Sequence, residues 1–181
     1  MDVENIKKVE SESDCLCDAE KLNDVLNTLA KNITVDLKDK NPLVLCVLTG
    51  GIIPTGHLLT RLSFPLQLDY VHATRYQGDT CGGKLHWIQE PSISLHDRNI
   101  LIIDDIFDEG ITLVEIEKYC KDKGAAEVRS AVLVNKIHNR KVNYTPDYIG
   151  LEIEDRYLFG FGMDYKNYLR NVNAIHAVKG M

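Results

Sequence analysis

Apolar residues recur at spacings of three and four from Leu22 through Val25, Leu26, Leu29 and Ile33 to Leu37. That period puts them on one helical face, and Asp18 stands where an N-cap belongs, so the spacing predicts a helix through about residue 37. The run "LVLCVL", 43–48, is apolar throughout and breaks into "TGG". It predicts a strand covered on both faces, as in a parallel sheet. A short helix is expected after Pro54, with Leu58, Leu59 and Leu62. Further strands are expected over 66–74, 99–106, 128–137 and 147–154, and a helix over 112–124 with Gly124 at its C′ position. Residues 1–14 are polar and acidic and read as frayed.

Strand alternating with helix predicts an α/β fold, a parallel sheet core flanked by helices. Ligands in such folds bind beyond the carboxyl ends of the strands. The positions to inspect are therefore Thr49–Gly51, Asp104–Thr112 and Lys136. Residues 75–98 do not fit the alternation. They suit a long hairpin with a Gly-Gly turn or a mobile lid, and the two are compatible.

A chain of 181 residues suits one domain with a real core. The net charge of −6 argues against broad nucleic-acid or membrane binding, since nothing draws in phosphates at long range. The basic residues are scattered, with a small cluster at Lys136, His138, Arg140 and Lys141. There is no apolar leader segment at the N-terminus and no run of about 18 apolar residues, so no membrane is expected. The five cysteines show no C-x-x-C spacing and read as free thiols in a reducing cytoplasm. A zinc site from Cys15, Cys17 and a distant histidine is a minor alternative.

The chemistry concentrates in "LIIDDIFDEGIT", 101–112. Asp104 and Asp105 follow a strand that should be buried. On their own they read as a turn with a helix cap. The "DEGIT" that follows changes the reading. Its glycine admits positive φ, so backbone N–H groups can converge on an anion at a helix N-terminus, with the Thr112 hydroxyl beside them. Adjacent carboxylates can accept hydrogen bonds from the vicinal hydroxyls of a ribose or share a divalent cation. A phosphorylated sugar satisfies both halves. The spacing matches neither G-x-x-x-x-G-K-[ST] nor G-x-G-x-x-G.

"ILIIDDIFDEGIT", 100–112, resembles the signature of type I phosphoribosyltransferases. "VLTGG", "LVNKIHNR" and "EDRYLFGFGMDYKNYLR" extend the resemblance to the 6-oxopurine branch, from about residue 43 to 170. The resemblance implies a single domain over 1–181, with a core at about 40–150 and a small hood from the N- and C-terminal segments, about 1–20 and 151–181. It implies purine salvage: Mg2+-dependent transfer of phosphoribosyl from phosphoribosyl pyrophosphate to N9 of hypoxanthine or guanine. Asp104 and Asp105 would hold the ribose, and Asp108, Glu109, Gly110, Ile111 and Thr112 the 5′-phosphate. Thr49, Gly50 and Arg170 would bind pyrophosphate, with the Leu48–Thr49 peptide cis. Lys136, Tyr157, Leu158 and Asp164 would face the base, and Asp104, Asp105 and Asp164 the metal. Asp108 would be the general base, with a pKa raised by neighbouring acids and phosphate. Arg75 and Tyr76 would belong to a lid. The resemblance also implies a homodimer or homotetramer.

Two departures stand out. Arg75 replaces a common serine, and Glu109 places an acid inside an anion-binding loop. Two other functions compete: an RNA-binding or regulatory relative, which needs a basic patch, and a Mg2+-dependent phosphohydrolase, which has no use for Lys136, Tyr157 and Arg170.

Overall fold

The structure, a computed structural model, describes residues 2–75 and 85–180. Tyr76 and the side chain of Arg75 lie outside the described residues. The elements run α1 (Val3–Glu12), β1 (Asp14–Cys17), α2 (Ala19–Leu37), β2 (Leu43–Leu48), α3 (Ile52–Leu59), β3 (Gln67–Arg75) and β4 (Leu85–Gln89). They continue with β5 (Asn99–Phe107), α4 (Ile111–Asp122), β6 (Glu127–Ile137), β7 (Tyr148–Glu154), β8 (Leu158–Phe159) and β9 (Ile175–Ala177).

Six strands form the main sheet in the order β4-β3-β2-β5-β6-β7. β3, β2, β5, β6 and β7 pair in parallel, and β4 returns antiparallel to β3 from Arg75↔Leu85 to His72↔Gln89. The hairpin reading of that region therefore holds, while its Gly-Gly tip lies outside the described residues. Asp69 of β3 anchors the far end of the hairpin. Its carboxylate accepts from Ser92 N (2.7 Å), Ser92 Oγ (3.0 Å) and Ile93 N (2.9 Å) on one oxygen and from Tyr70 N (2.8 Å) on the other.

Strand alternation splits the buried residues between two faces. Val44, Leu101, Ile103, Ala131 and Leu133 meet Leu22, Leu26, Leu29, Ile33 and Leu37 of α2 and Leu58 of α3. Leu43, Leu45, Val47, Ile100, Ile102 and Val132 meet Leu113, Ile116 and Cys120 of α4. A continuous apolar strand is what this two-sided cover requires. Asp18 caps α2 by accepting from Lys21 N at 2.9 Å, and Gly124 follows α4 with φ 83°. α3 begins two residues before Pro54. Proline is tolerated there because first-turn N–H groups lack helical partners.

Residues 2–14 are structured, where 1–14 were expected to fray. Asp2 caps α1, and Ile6 and Val9 pack on Phe159, Tyr165, Leu169 and Val178. β1 pairs with β9, which pairs with β8, so a second, three-stranded sheet joins the two ends of the described chain. The polar residues before Cys15 hid this because their few apolar partners come from beyond residue 157.

The chain leaves β2 toward β3 on one side and returns through β5 on the other. The strand order thus reverses between β2 and β5, and the crevice beyond their carboxyl ends is where such sheets bind ligands.

Candidate active site

β5 delivers Asp104 and Asp105 into that crevice, and only 9% and 8% of their surfaces are exposed. Asp104 Oδ1 accepts the N–H of Asp105 at 2.9 Å. Burial pushes the Asp104 carboxyl well above its ordinary range, and the neighbouring Asp105 charge adds to this. Asp105 is also raised by burial, against the lowering influence of Asp104 and Arg170. Arg170 Nη1 is 4.0 Å from Asp105 Oδ2, while Nη2 binds Asp164 Oδ1 at 2.6 Å. The remaining Asp164 oxygen accepts from Asn167 N at 2.7 Å.

Gly110 opens α4 in the left-handed region, φ 85°, and offers no side-chain cap. A Cβ there would fall 2.3 Å from the Phe107 ring, so both conformation and space call for glycine. First-turn amides without a side-chain cap are suited to an anion. A cleft of about 280 Å³ runs along this loop, and its lining includes Gly50, Asp104, Asp105, Asp108, Thr112 and Arg170.

A second cleft of about 310 Å³ is lined by Lys136, Tyr157, Leu158 and Met163 together with Asp105, Ile106, Asp108 and Asp164. The last four line both clefts, so the two join side by side at Asp105 and Asp108. Tyr157 is half-exposed and braced edge-on by Tyr165, with ring centroids 5.5 Å apart.

Lys136 is buried at the end of β6. Its Nζ donates to Asp108 Oδ2 (3.1 Å) and Asp155 Oδ1 (3.3 Å). His138 Nε2 lies 2.7 Å from Asp108 Oδ1. Burial alone would raise the Asp108 carboxyl, but the bonds from His138 and Lys136 prevail and hold it below its usual value. The expected upward shift is therefore wrong for this structure. Two donors from a segment about thirty residues away outweigh the burial of the carboxylate.

Other expected residues fall around the clefts. Leu48–Thr49 is cis. Thr49 is exposed and lines an outer groove with Ile52, Tyr168 and Arg170. Ile111 and Glu109 line neither cleft. The Glu109 carbonyl accepts Val142 N at 3.0 Å. Its carboxylate adds to the negative field that raises Arg140, after Asp155 and Asp108.

His138 and Asp155 were not among the expected site residues. His138 was visible only as part of a basic cluster. That cluster is paired internally: Arg140 Nη1 binds Asp155 at 2.8 Å, and Lys141 bonds Asn135 and lies over the Phe107 ring. Asp108, His138 and Asp155 have ligand-type atoms within 4.8 Å of one another, the one such trio among the described residues. Lys136 and Arg140 already neutralise its carboxylates, which argues against a metal there. Asp104 and Asp105 suit one better, being buried with a single arginine near them. No zinc-type grouping of Cys15 and Cys17 occurs among the described residues. A roomier groove, about 520 Å³ beside α2, has Ala30, Val35, Lys31, Lys38 and Arg61 in its lining and no acid or nucleophile suited to the chemistry above.

The phosphoribosyl transferase domain family model matches residues 14–167. Hypoxanthine-guanine-xanthine phosphoribosyltransferase of Tritrichomonas foetus is 32% identical over 155 residues, covering 85% of each chain. Hypoxanthine-guanine phosphoribosyltransferase of Lactococcus lactis is 32% identical over 152 residues, covering 83% of this chain and 82% of its own. Among solved structures, hypoxanthine phosphoribosyltransferase of Trypanosoma cruzi in complex with the product IMP superposes with a TM-score of 0.86 at 26% identity, covering 93% of this chain and 95% of that one.

Proposed function

This chain belongs to the phosphoribosyl transferase domain family, and we propose that it transfers phosphoribosyl from phosphoribosyl pyrophosphate to N9 of hypoxanthine or guanine in purine salvage. The observation that carries this reading is the junction of two clefts at Asp108, one suited to a ribose phosphate and one to a flat base.

Asp104 and Asp105 accept from the ribose hydroxyls and stabilise positive charge growing on the ring. The 108–112 loop holds the 5′-phosphate and so fixes C1 relative to the base. Tyr157 stacks on the purine, Lys136 donates to its O6, and the Leu158 backbone meets its edge. Arg170 and the backbone at Thr49 and Gly50 receive pyrophosphate. N9 bonds to C1 as the C1–O bond breaks, with its electron pair leaving on pyrophosphate. The N7 proton passes to Asp108. A carboxylate held at a low pKa serves as acceptor because it is ionised before the base arrives.

Asp104, Asp105 and Asp164 would hold Mg2+. It would neutralise charge on the pyrophosphate oxygens. The segments at about 1–20 and 151–181 form the hood over a core of about 40–150; the lid reading of Arg75 and Tyr76 falls on side chains outside the described residues. Exposed Ile52 and Tyr168 suit a contact in a homodimer or homotetramer. No described helix is long and apolar enough to cross a membrane. The free thiols suit the cytoplasm. An RNA-binding role is disfavoured because the net charge is −6 and the cluster at His138, Arg140 and Lys141 is paired within the chain.

The test is an ultraviolet assay of hypoxanthine, guanine and xanthine with phosphoribosyl pyrophosphate and Mg2+. Nucleotide should form with at least one of the first two. No product from any of the three would sink the reading.

A further inference from the structure

His138 lies two residues beyond Lys136, just past the end of β6, and its side chain is only 5% exposed. One ring nitrogen, Nε2, is 2.7 Å from Asp108 Oδ1. The other, Nδ1, accepts the backbone N–H of Arg140 at 3.1 Å. A nitrogen that accepts must present its lone pair. The proton of the neutral ring therefore sits on Nε2, and the ring donates to Asp108.

The two oxygens of Asp108 thus have different partners. Oδ1 is held by His138 and Oδ2 by Lys136. Lys136 has a second carboxylate, Asp155, which Arg140 fixes in place. Lys136 can therefore turn from Oδ2 toward a base without losing every anionic partner. His138 has no comparable alternative, since its far nitrogen is tied to the backbone.

We infer that His138 is a positioning residue for Asp108: it pins Oδ1 so that Oδ2 alone swings free to receive the proton. The inference rests on the reading of Asp108 as the base. The N7–H electron pair stays with the purine ring, and the proton ends on Oδ2 as Lys136 moves to O6.

Several charges face Asp108. Lys136 approaches from β6, and Arg140 and Lys141 from the segment after it. Asp155 stands behind Lys136 after β7, Glu109 is the next residue, and Asp105 lies across the shared cleft. His138 supplies the shortest bond among these, a donor directed at the charged form of the carboxylate. Removing it should make Asp108 easier to protonate and leave its carboxyl group free to rotate.

The experiment compares single-turnover rates, Michaelis constants, melting temperatures and pH profiles of wild type, His138→Ala, His138→Gln and Asp108→Asn. His138→Ala should be slower by about 10–100-fold, as for lost outer-shell partners elsewhere. The acidic limb of its rate profile should move to higher pH, with the constant for phosphoribosyl pyrophosphate unchanged. Glutamine retains an N–H donor, so His138→Gln should recover most of the rate. A wild-type rate and profile in His138→Ala overturn the inference, as does a His138→Gln variant no faster than His138→Ala. Full turnover in Asp108→Asn removes the base reading and this inference with it. A slow Asp108→Asn beside a wild-type-like His138→Ala overturns the inference alone.

Discussion

Asp105 occupies the space that a side chain at residue 50 would need: a Cβ built on Gly50 falls 2.0 Å from Asp105 Oδ2. The loop after β2 and the end of β5 are therefore fitted to each other atom by atom. Gly50→Ala should push the Asp105 carboxylate out of the ribose cleft. Misplacing a reacting group by about 1 Å can cost about 100-fold in rate. We expect a loss of that order in turnover while the circular dichroism spectrum stays native. Full activity in Gly50→Ala would show that the Asp105 position is not needed.

Asp104 should trade stability for function. Its folded pKa lies above the unfolded one, so the native state binds its proton more tightly. Stability then falls as pH rises from the ordinary carboxylate range through the raised pKa, and the full penalty is present above it. Asp104→Asn keeps the acceptor for Asp105 N and removes the charge. It should melt higher than wild type at neutral pH in metal-free buffer, by about 2–4 °C per kcal/mol relieved. The advantage should shrink at acid pH, and binding of phosphoribosyl pyrophosphate by titration calorimetry should be lost. An Asp104→Asn variant that melts lower at neutral pH contradicts the account.

Asp69 should show the opposite trend. Burial raises it, but the bonds from Ile93, Tyr70 and Ser92 prevail, and its pKa is lowered. Its contribution is complete above the unfolded pKa and is lost as pH falls through the lower folded one. Asp69→Ala orphans buried donors and should cost roughly 1–3 kcal/mol by urea unfolding at neutral pH. The difference from wild type should narrow in acid. A uniform difference across pH would mean that packing, rather than the charged latch, is responsible.

Gly110→Ala combines a left-handed backbone with a collision at Phe107. The backbone term alone is about 1–2 kcal/mol. The Michaelis constant for phosphoribosyl pyrophosphate should rise about tenfold or more, with a smaller change for the purine. Equal changes in both would indicate general unfolding of the loop.

Much of the fold was legible because its signals are local. The cap at Asp18, the apolar runs of β2 and β5 and the Gly124 stop each need only neighbours in sequence to be read. The cleft was legible for the same reason, since Asp104 to Thr112 is one continuous segment. What escaped depends on distant partners. α1 and β1 carry little apolar signal of their own and become ordered against residues 158–178. The sign of the Asp108 shift was misjudged because its nearest sequence neighbours are acids, while its nearest neighbours in space are Lys136 and His138.

The small sheet has a consequence for the order in which the molecule can be made. The strand bearing Leu158 is held by β9, the Tyr157 carbonyl accepts Val178 N at 2.9 Å, and β9 in turn pairs with β1. On the ribosome, the turn at Thr49 and Gly50, the β5 aspartates and the 108–112 loop are all made before β6, while Arg170 of the same cleft follows only after β8. The base half cannot close until residues 175–177 arrive and pair with β1, which is made before the whole of the main sheet. A nascent chain stalled before that point would carry a formed phosphate loop and an unfinished purine wall, and a truncation there should separate the two binding events.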